Sequence, residues 1–260
     1  MSIGIIGCGS LGTAIFRSLR SLHTNADFVV SVKSTSRLTQ LKHQLKCNVT
    51  QSNFDVISSS KDIFLCVKPA NAREVCQEIK GKLDQESIVV SVMAAVPLLN
   101  IQEWLQHARV VKTMPTMSVA KGPVTIYNPL NLNFKKFSEN FITVDDETTL
   151  DMTTAVSGCM PGFLANVLEQ WINAAVNMGI EKELAEQLIC SNAAAFSNLN
   201  AFNLVDLRSI QSQVASKGGA TEKGLGHLNQ SDLYKILGTT MSIANNRVLE
   251  FARKLREENF

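Results

Sequence analysis

Ile3-Gly4-Ile5-Ile6-Gly7-Cys8-Gly9-Ser10-Leu11-Gly12 is the stretch that decides how this chain is read. Its isoleucine-rich start reads as a short buried strand, and glycines follow at 7, 9 and 12. Thr13 to Leu22 then carries Ala14, Ile15, Leu19 and Leu22 at helical spacing. Strand, glycine turn and helix in that order are the setting in which G-x-G-x-x-G binds a dinucleotide. Gly7 turns the chain off the strand, Gly9 lets a pyrophosphate approach the backbone, and Gly12 lets the helix pack on the sheet. The helix N-terminus adds unpaired N–H donors for the anion. Gly7, Cys8, Gly9, Ser10, Leu11 and Gly12 are therefore candidate cofactor contacts. A glycine turn that binds nothing is the competing reading, and the flanking strand and helix weigh against it.

About twenty residues further on, Phe28 to Val32 reads as a second strand. An acidic residue closing it would bind the ribose hydroxyls of NAD and repel a 2′-phosphate. The strand instead ends in Lys33-Ser34-Thr35-Ser36-Arg37, two cations and three hydroxyls. Such a turn suits a 2′-phosphate, with Ser34 and Arg37 as its readers. NADP(H) is therefore expected, with NAD(H) as the alternative; a merely solvated polar turn is the bland reading.

Leu38 to Leu45 is helical in pattern, Asn48-Val49-Thr50 a short strand, and Ile63 to Val67 a buried strand ending in Lys68-Pro69. Ala70 to Leu83 reads as an amphipathic helix and Ser87 to Val92 as another buried strand before Ala94-Ala95. Val110 to Pro115 repeats the pattern of strand then proline, and Val124 to Tyr127 continues it. Alternation of this kind predicts a doubly wound, mainly parallel sheet over residues 1–148.

Past Val144 strand signals cease, and residues 149–260 read as all-helical. Met152 to Val156 begins a helix, Gly158 to Gly162 interrupts it, and Phe163 to Met178 resumes it. Glu181 to Leu204 and Ser231 to Glu258 read as two more helices, the last with a charged, solvated end. Between them Val214 to Thr221 places Gly218-Gly219 before a helical segment, a second helix N-terminus suited to a carboxylate or phosphate. An interhelical turn is the plainer reading of that loop.

Composition bounds the function. The chain has 260 residues, 45% hydrophobic and 18% charged, and a formal net charge of +2. That balance is globular and gives no reason to expect nucleic acid or a membrane surface as partner. The start lacks a cationic leader pattern, and stretches such as 87–101 are too short and interrupted to span a bilayer. Cysteines at 8, 47, 66, 76, 159 and 190 form no C-x-x-C pair, and the four histidines are scattered. They predict reduced, mostly buried thiols in a cytoplasmic protein with no metal site.

The order of motifs resembles the pyrroline-5-carboxylate reductases, over nearly the whole chain. The resemblance is carried by Gly7 to Gly12, Val67-Lys68-Pro69, Ser91 to Ala94, Met114-Pro115, Ser157 to Pro161 and Ser216 to Thr221. It implies a Rossmann-like NADP-binding domain followed by an all-α domain that interlocks with a partner's as a homodimer or higher homo-oligomer. It carries cofactor contacts onto Gly7 to Gly12, Ser34, Val67, Lys68, Pro69 and Ala94. It carries substrate contacts onto Ser216, the backbone of Gly218, Gly219 and Ala220, and Thr221. The implied reaction is reduction of a cyclic imine in proline biosynthesis. Backbone donors would clamp the carboxylate and Thr221 would bond the ring nitrogen, while the protein chiefly orients two rings.

The departures cluster at the reacting centre. Thr116-Met117-Ser118 stands where the family has Asn-Thr-Pro, which removes an amide near the cofactor. Gly162-Phe163 replaces Ala-Tyr after Pro161, and Cys159-Met160 replaces small residues. Lys217 replaces a proline, and Gln213 an asparagine near the substrate. Two alternatives follow: a same-fold reductase of another small carboxylated imine or oxo acid, and a non-catalytic nucleotide-binding relative. The intact glycine loop and the intact Ser216, Gly218, Gly219 and Thr221 argue against the latter.

Overall fold

The computed structural model describes residues 1–116, 122–138, 140–196 and 204–257, and every structural statement below concerns these. Met117, Ser118, the end of the helix expected up to Leu204 and the tail from Glu258 lie outside them.

The first strand, β1 (Ser2–Ile6), leads through the glycine turn into α1 (Ser10–Leu22), then β2 (Asp27–Ser31), α2 (Thr35–Gln44) and β3 (Asn48–Thr50). Next come α3 (Asn53–Ser59), β4 (Asp62–Leu65), a 3₁₀ turn at Pro69–Asn71, α4 (Ala72–Glu78), β5 (Ile88–Ser91) and α5 (Leu98–Leu105). The sheet finishes with β6 (Val110–Pro115), β7 (Val124–Tyr127) and β8 (Phe141–Val144). The eight strands lie in the order β3-β2-β1-β4-β5-β6-β7-β8. The first six run parallel; β7 is antiparallel to β6, and β8 is parallel to β7. This is a Rossmann-like sheet with its switch point between β1 and β4.

Valine and isoleucine fill these strands because both faces are covered, so nearly every position is apolar rather than every second one. On one face Ile3, Ile5 and Val30 pack with Ile15, Phe16 and Leu19 of α1 and Leu41 of α2. On the other, Ile6, Ile63, Leu65 and Val89 pack with Val56, Cys76, Ile101 and Trp104. Short helices account for what the sequence reading lacks. α3 offers only two buried apolar side chains, and α5 is hidden inside a longer apolar run. The helix expected over 70–83 covers only 72–78, because a 3₁₀ turn takes up its start.

After β8, α6 (Glu147–Thr153) passes into a π-helical turn at Thr154–Gly158. The expected interruption is therefore that turn, and α7 (Met160–Asn177) starts directly behind it. α8 (Lys182–Phe196), α9 (Leu204–Val214), α10 (Ala220–Gln230) and α11 (Leu233–Glu257) follow, α9 being unanticipated. Among the described residues no strand follows Val144. The chain forms two compact units, residues 1–159 with 243–260, and residues 160–242. No helix of the described residues is long and apolar enough to cross a membrane. All six cysteines are free thiols, but only Cys8 and Cys76 are buried, Cys47, Cys66 and Cys159 are half-buried and Cys190 is exposed. The expectation of mostly buried thiols is corrected accordingly.

Candidate functional site

In the first unit the carboxyl ends of β1, β4 and β5 stand side by side, with Ile6 paired to Leu65 and Leu65 to Ser91. The loops leaving them therefore share one edge: Gly7–Gly9, Cys66–Lys68 and Val92–Ala95. Open α/β sheets take their ligands at such an edge.

The glycine turn is built for close approach. Gly7 holds φ at +88°, and a Cβ there would lie 2.7 Å from Val67 Cγ1. A Cβ on Gly12 would meet the Gly7 carbonyl oxygen at 2.7 Å, so α1 sits directly on the turn. Gly9 has nothing within 4 Å of where its Cβ would stand, which is the open face a ligand needs. Not every residue of the motif donates to that face. The N–H of Cys8 bonds to the Ser31 carbonyl at 2.8 Å and that of Gly9 to the Gly7 carbonyl at 2.8 Å. The donors without a helical partner begin at Ser10 and Leu11, since Gly9 caps α1 without a side-chain bond. Cys8 contributes shape: its buried thiol lies 3.6 Å from Thr13 Oγ1. Burial pushes that thiol above its ordinary range, with Thr13 and Arg37 pulling it back. Cys66 beside it is pushed up further by burial, so neither thiol is a nucleophile.

The expected polar turn after β2 is in fact the start of a helix. Ser34 caps α2, its hydroxyl accepting from the Arg37 N–H at 3.4 Å, and lies 2.8 Å from the Ser36 hydroxyl. The Arg37 guanidinium reaches back to Thr13 Oγ1 at 3.0 Å and to Gln40 Oε1 at 2.7 Å. The hydroxyls and the cation expected in a turn thus stand at the start of α2, which orients them. Sequence reading misses the wall opposite. A cavity of ≈ 160 Å³ is lined by Gly7, Val32, Lys33, Asn53, Val67 and Asn71 among others. Asn53 accepts from Ser31 Oγ at 2.6 Å and donates to Glu78 at 2.8 Å, and Lys33 meets Glu74 at 3.4 Å. The only prior signal for Asn53 was its place at the start of a helix just beyond β3. Open space at Gly9, the first N–H groups of α1, and the hydroxyls and guanidinium of Ser34, Ser36 and Arg37 at the start of α2 together fit a phosphorylated dinucleotide. Pro69 starts the 3₁₀ turn, with Lys68 exposed before it; Ala94 is half-buried on the β5 loop.

At β6, Met114 is buried and Thr116 follows it, also buried. Gly158 of the π turn packs on Met114, its would-be Cβ 3.5 Å from the sulfur. Buried Thr154 Oγ1 and Ser157 Oγ in that turn have no hydrogen-bond partner. π turns recur at functional sites, and two orphaned hydroxyls in one mark this stretch as more than a connector.

The expected substrate loop lies in the second unit. Gly218 holds φ at +75°, and Gly219 caps α10 without a side-chain bond. A Cβ on Gly219 would collide with the Ser216 hydroxyl, so only glycine fits. The structure narrows the expected clamp. The Gly218 N–H already donates to Glu222 Oε2 at 2.8 Å, and the Gly219 N–H to the Ser216 carbonyl at 2.9 Å. The first helix donors are those of Ala220 and Thr221. Thr221, Ser216 and Lys217 are exposed, and the Gln213 amide is held by Ser209 of its own helix at 2.9 Å. Large apolar side chains are exposed in this helical region, including Trp171 on α7 at 56%, Met178 just past it at 83% and Tyr234 on α11 at 90%.

Comparison with known proteins agrees with both halves. Residues 147–251 match a family model described as pyrroline-5-carboxylate reductase dimerisation, and residues 2–95 one described as NADP oxidoreductase, coenzyme F420-dependent. A pyrroline-5-carboxylate reductase of Staphylococcus haemolyticus is 24% identical, covering 97% of this chain and 98% of that protein. One of Pseudomonas aeruginosa is 23% identical, covering 97% of each. Among solved structures, a pyrroline-5-carboxylate reductase of Coxiella burnetii superposes with a TM-score of 0.85 at 24% identity, covering 96% of this chain and 97% of that one. The Plasmodium falciparum pyrroline carboxylate reductase, solved with NADP bound, gives 0.81 at 19% identity, covering 97% of this chain and 98% of that one.

Proposed function

We propose that this chain, which belongs to the pyrroline-5-carboxylate reductase family as a divergent member, is an NADP(H)-dependent oxidoreductase that reduces 1-pyrroline-5-carboxylate to L-proline. The observation that carries the reading is the end-to-end correspondence. Relatives named pyrroline-5-carboxylate reductase match over 97% of this chain, a span that includes both the glycine turn and the 216–221 loop. On this reading residues 1–148 hold the dinucleotide, residues 149–260 hold the substrate and pair two copies, and the protein works in the cytoplasm. The apolar side chains exposed on α7 and α11 support a homodimer, since monomers rarely leave so much apolar surface open.

Bound reduced nicotinamide supplies the hydride to the imine carbon. The chain's own work is orientation. Ser10 and Leu11 N–H groups would hold the pyrophosphate, and Ser34 with Arg37 would hold the 2′-phosphate through charge-assisted bonds. Ser216, with the first N–H groups of α10, holds the substrate carboxylate. The Gly218 N–H already seated on the Glu222 carboxylate supports that chemistry. Thr221 bonds the ring nitrogen, which takes a proton from solvent water as hydride reaches the carbon, so that C=N becomes CH–NH. Proximity and orientation of this kind supply a large part of a rate enhancement without a charged catalytic group.

Purified protein incubated with NADPH and a panel of cyclic imines and oxo acids tests the proposal by nicotinamide absorbance. Oxidation with 1-pyrroline-5-carboxylate well above the rest is expected. Turnover confined to another carboxylated imine or oxo acid replaces the substrate, a reading favoured by Thr116 just past β6 and by Cys159 to Phe163. Nucleotide binding with no turnover on any member leaves a non-catalytic relative.

A further inference from the structure

Lys112, in the middle of β6, has no solvent exposure. Its ammonium donates to Glu147 Oε1 at 2.6 Å and to Asp151 Oδ1 at 2.8 Å, both on α6. The same Glu147 oxygen accepts from the Leu98 backbone N–H at 2.8 Å. Leu98 opens α5, and Pro97 before it provides no capping side chain, so Glu147 supplies from α6 the acceptor that a local cap would give. Between β5 and this anchored N–H runs 92–97, buried at every position except Ala94. Within it Ala95 holds φ at 63°, a left-handed conformation disfavoured for any residue with a Cβ. The other end is fixed by Ser91, whose hydroxyl accepts from the Met93 N–H at 3.3 Å. The turn is thus held from both ends in a shape it would not adopt alone. What it shows outward is Ala94, on the edge shared with the glycine turn.

A buried ion pair adds little net stability compared with apolar residues of equal volume, whereas it fixes geometry well. We infer that Glu147 is a positioning residue for the dinucleotide. By bridging the Lys112 ammonium and the Leu98 N–H, it keeps Ala95 left-handed and Ala94 presented to the cofactor. The inference rests on the dinucleotide reading of the edge proposed above. All the residues involved lie in the first unit.

The test compares NADPH dissociation constants of the parent, Glu147→Gln, Glu147→Ala and the double variant Glu147→Ala/Ala95→Gly. Each is measured under conditions where urea titration shows it folded, alongside hydrogen exchange of the 92–98 amides. Glu147→Ala is expected to raise Kd about tenfold, the scale on which a left-handed alanine is disfavoured. Glu147→Gln keeps an acceptor for the Leu98 N–H and is expected to raise it roughly threefold. Exchange over 92–98 is expected to rise in the alanine variant. Adding Ala95→Gly is expected to recover much of the lost affinity, because glycine occupies that region freely. A lower urea midpoint with unchanged Kd and no rescue by Ala95→Gly overturns the inference, leaving Glu147 purely structural. Should Glu147→Ala not fold, an unchanged Kd in Glu147→Gln is equally decisive against it. A parent that binds neither NADPH nor NADH strikes the dinucleotide reading and the inference with it; a parent that binds, with variants unaffected, strikes the inference alone.

Discussion

Replacing Lys112 by methionine keeps the length of the side chain and removes the ammonium. The parent buries this group completely and satisfies it with carboxylate oxygens at 2.6 and 2.8 Å. Removing one partner of a buried pair costs about 3–5 kcal/mol, because the remaining charge stays desolvated. Both carboxylates would lose that cation while largely buried, the Glu147 side chain being 23% exposed and that of Asp151 7%. A value of about 4 kcal/mol is expected, a fall of roughly 10 °C in Tm for a chain of this size. Urea unfolding followed through Trp104, buried in the second hydrophobic cluster, measures it. Protein concentration is held fixed, since association contributes to apparent stability. Changing the three residues together, Lys112→Met with Glu147→Leu and Asp151→Leu, should recover part of the loss by replacing the charges with apolar volume, the Leu98 N–H losing its acceptor. A loss under about 1 kcal/mol for the single substitution would refute the reasoning, since no buried charge would then have been abandoned.

Arg37→Ala should weaken NADPH binding by about 1–3 kcal/mol and leave NADH nearly unchanged, as for the loss of a charged hydrogen bond; equal losses for both cofactors would show that Arg37 does not read the 2′-phosphate. Thr221→Val keeps volume and removes the hydroxyl, so kcat should fall about tenfold to a hundredfold, roughly 1.4–2.7 kcal/mol, with NADPH affinity untouched. Parent-like turnover would make that hydroxyl structural. Ser216→Ala should act mainly on KM, because the charge of its carboxylate partner does not change during reaction. Light scattering at micromolar concentration should report a dimer, and a stable monomer there would count against pairing through the helical half.

The strands were legible because each is a short run of valine, isoleucine and leucine bounded by proline, glycine or polar residues, and burial on both faces leaves no other use for such runs. The glycine turn was legible for a similar reason: Gly7 and Gly12 stand where a Cβ would strike Val67 or a backbone oxygen. What escaped depends on pairings remote in sequence. Lys112 sits in Val110-Val111-Lys112-Thr113, and a charge inside an apolar run was a signal in itself. Its partners Glu147 and Asp151, four apart and so on one helix face, lie some way downstream, and only the fold joins them. Asn53 escaped because α3 is too short to show a period, and the π turn because one extra residue per turn leaves no mark on an apolar pattern. The loop at 216–221 was legible as shape, but the seating of Glu222 on the Gly218 N–H was not.

The register of the sheet has a consequence for direction. β5 stops at Ser91, level with Lys112, yet β6 continues through Thr113, Met114 and Pro115. Their strand pairing lies on the far side, with Ile126, Thr125 and Val124, and β8 is aligned with them in turn. At about 3.3 Å per residue, β6–β8 continue roughly 10 Å past the end of β5 at Ser91, flanking the edge that carries Gly7, Val67 and Ala94. On the other flank β3 ends level with β2, with Thr50 opposite Ser31, and no such step occurs. The edge is thus asymmetric: a long molecule laid along it has a free end towards β3 and a flanked end at β6, and the polarity of its seating follows from three rungs beyond β5.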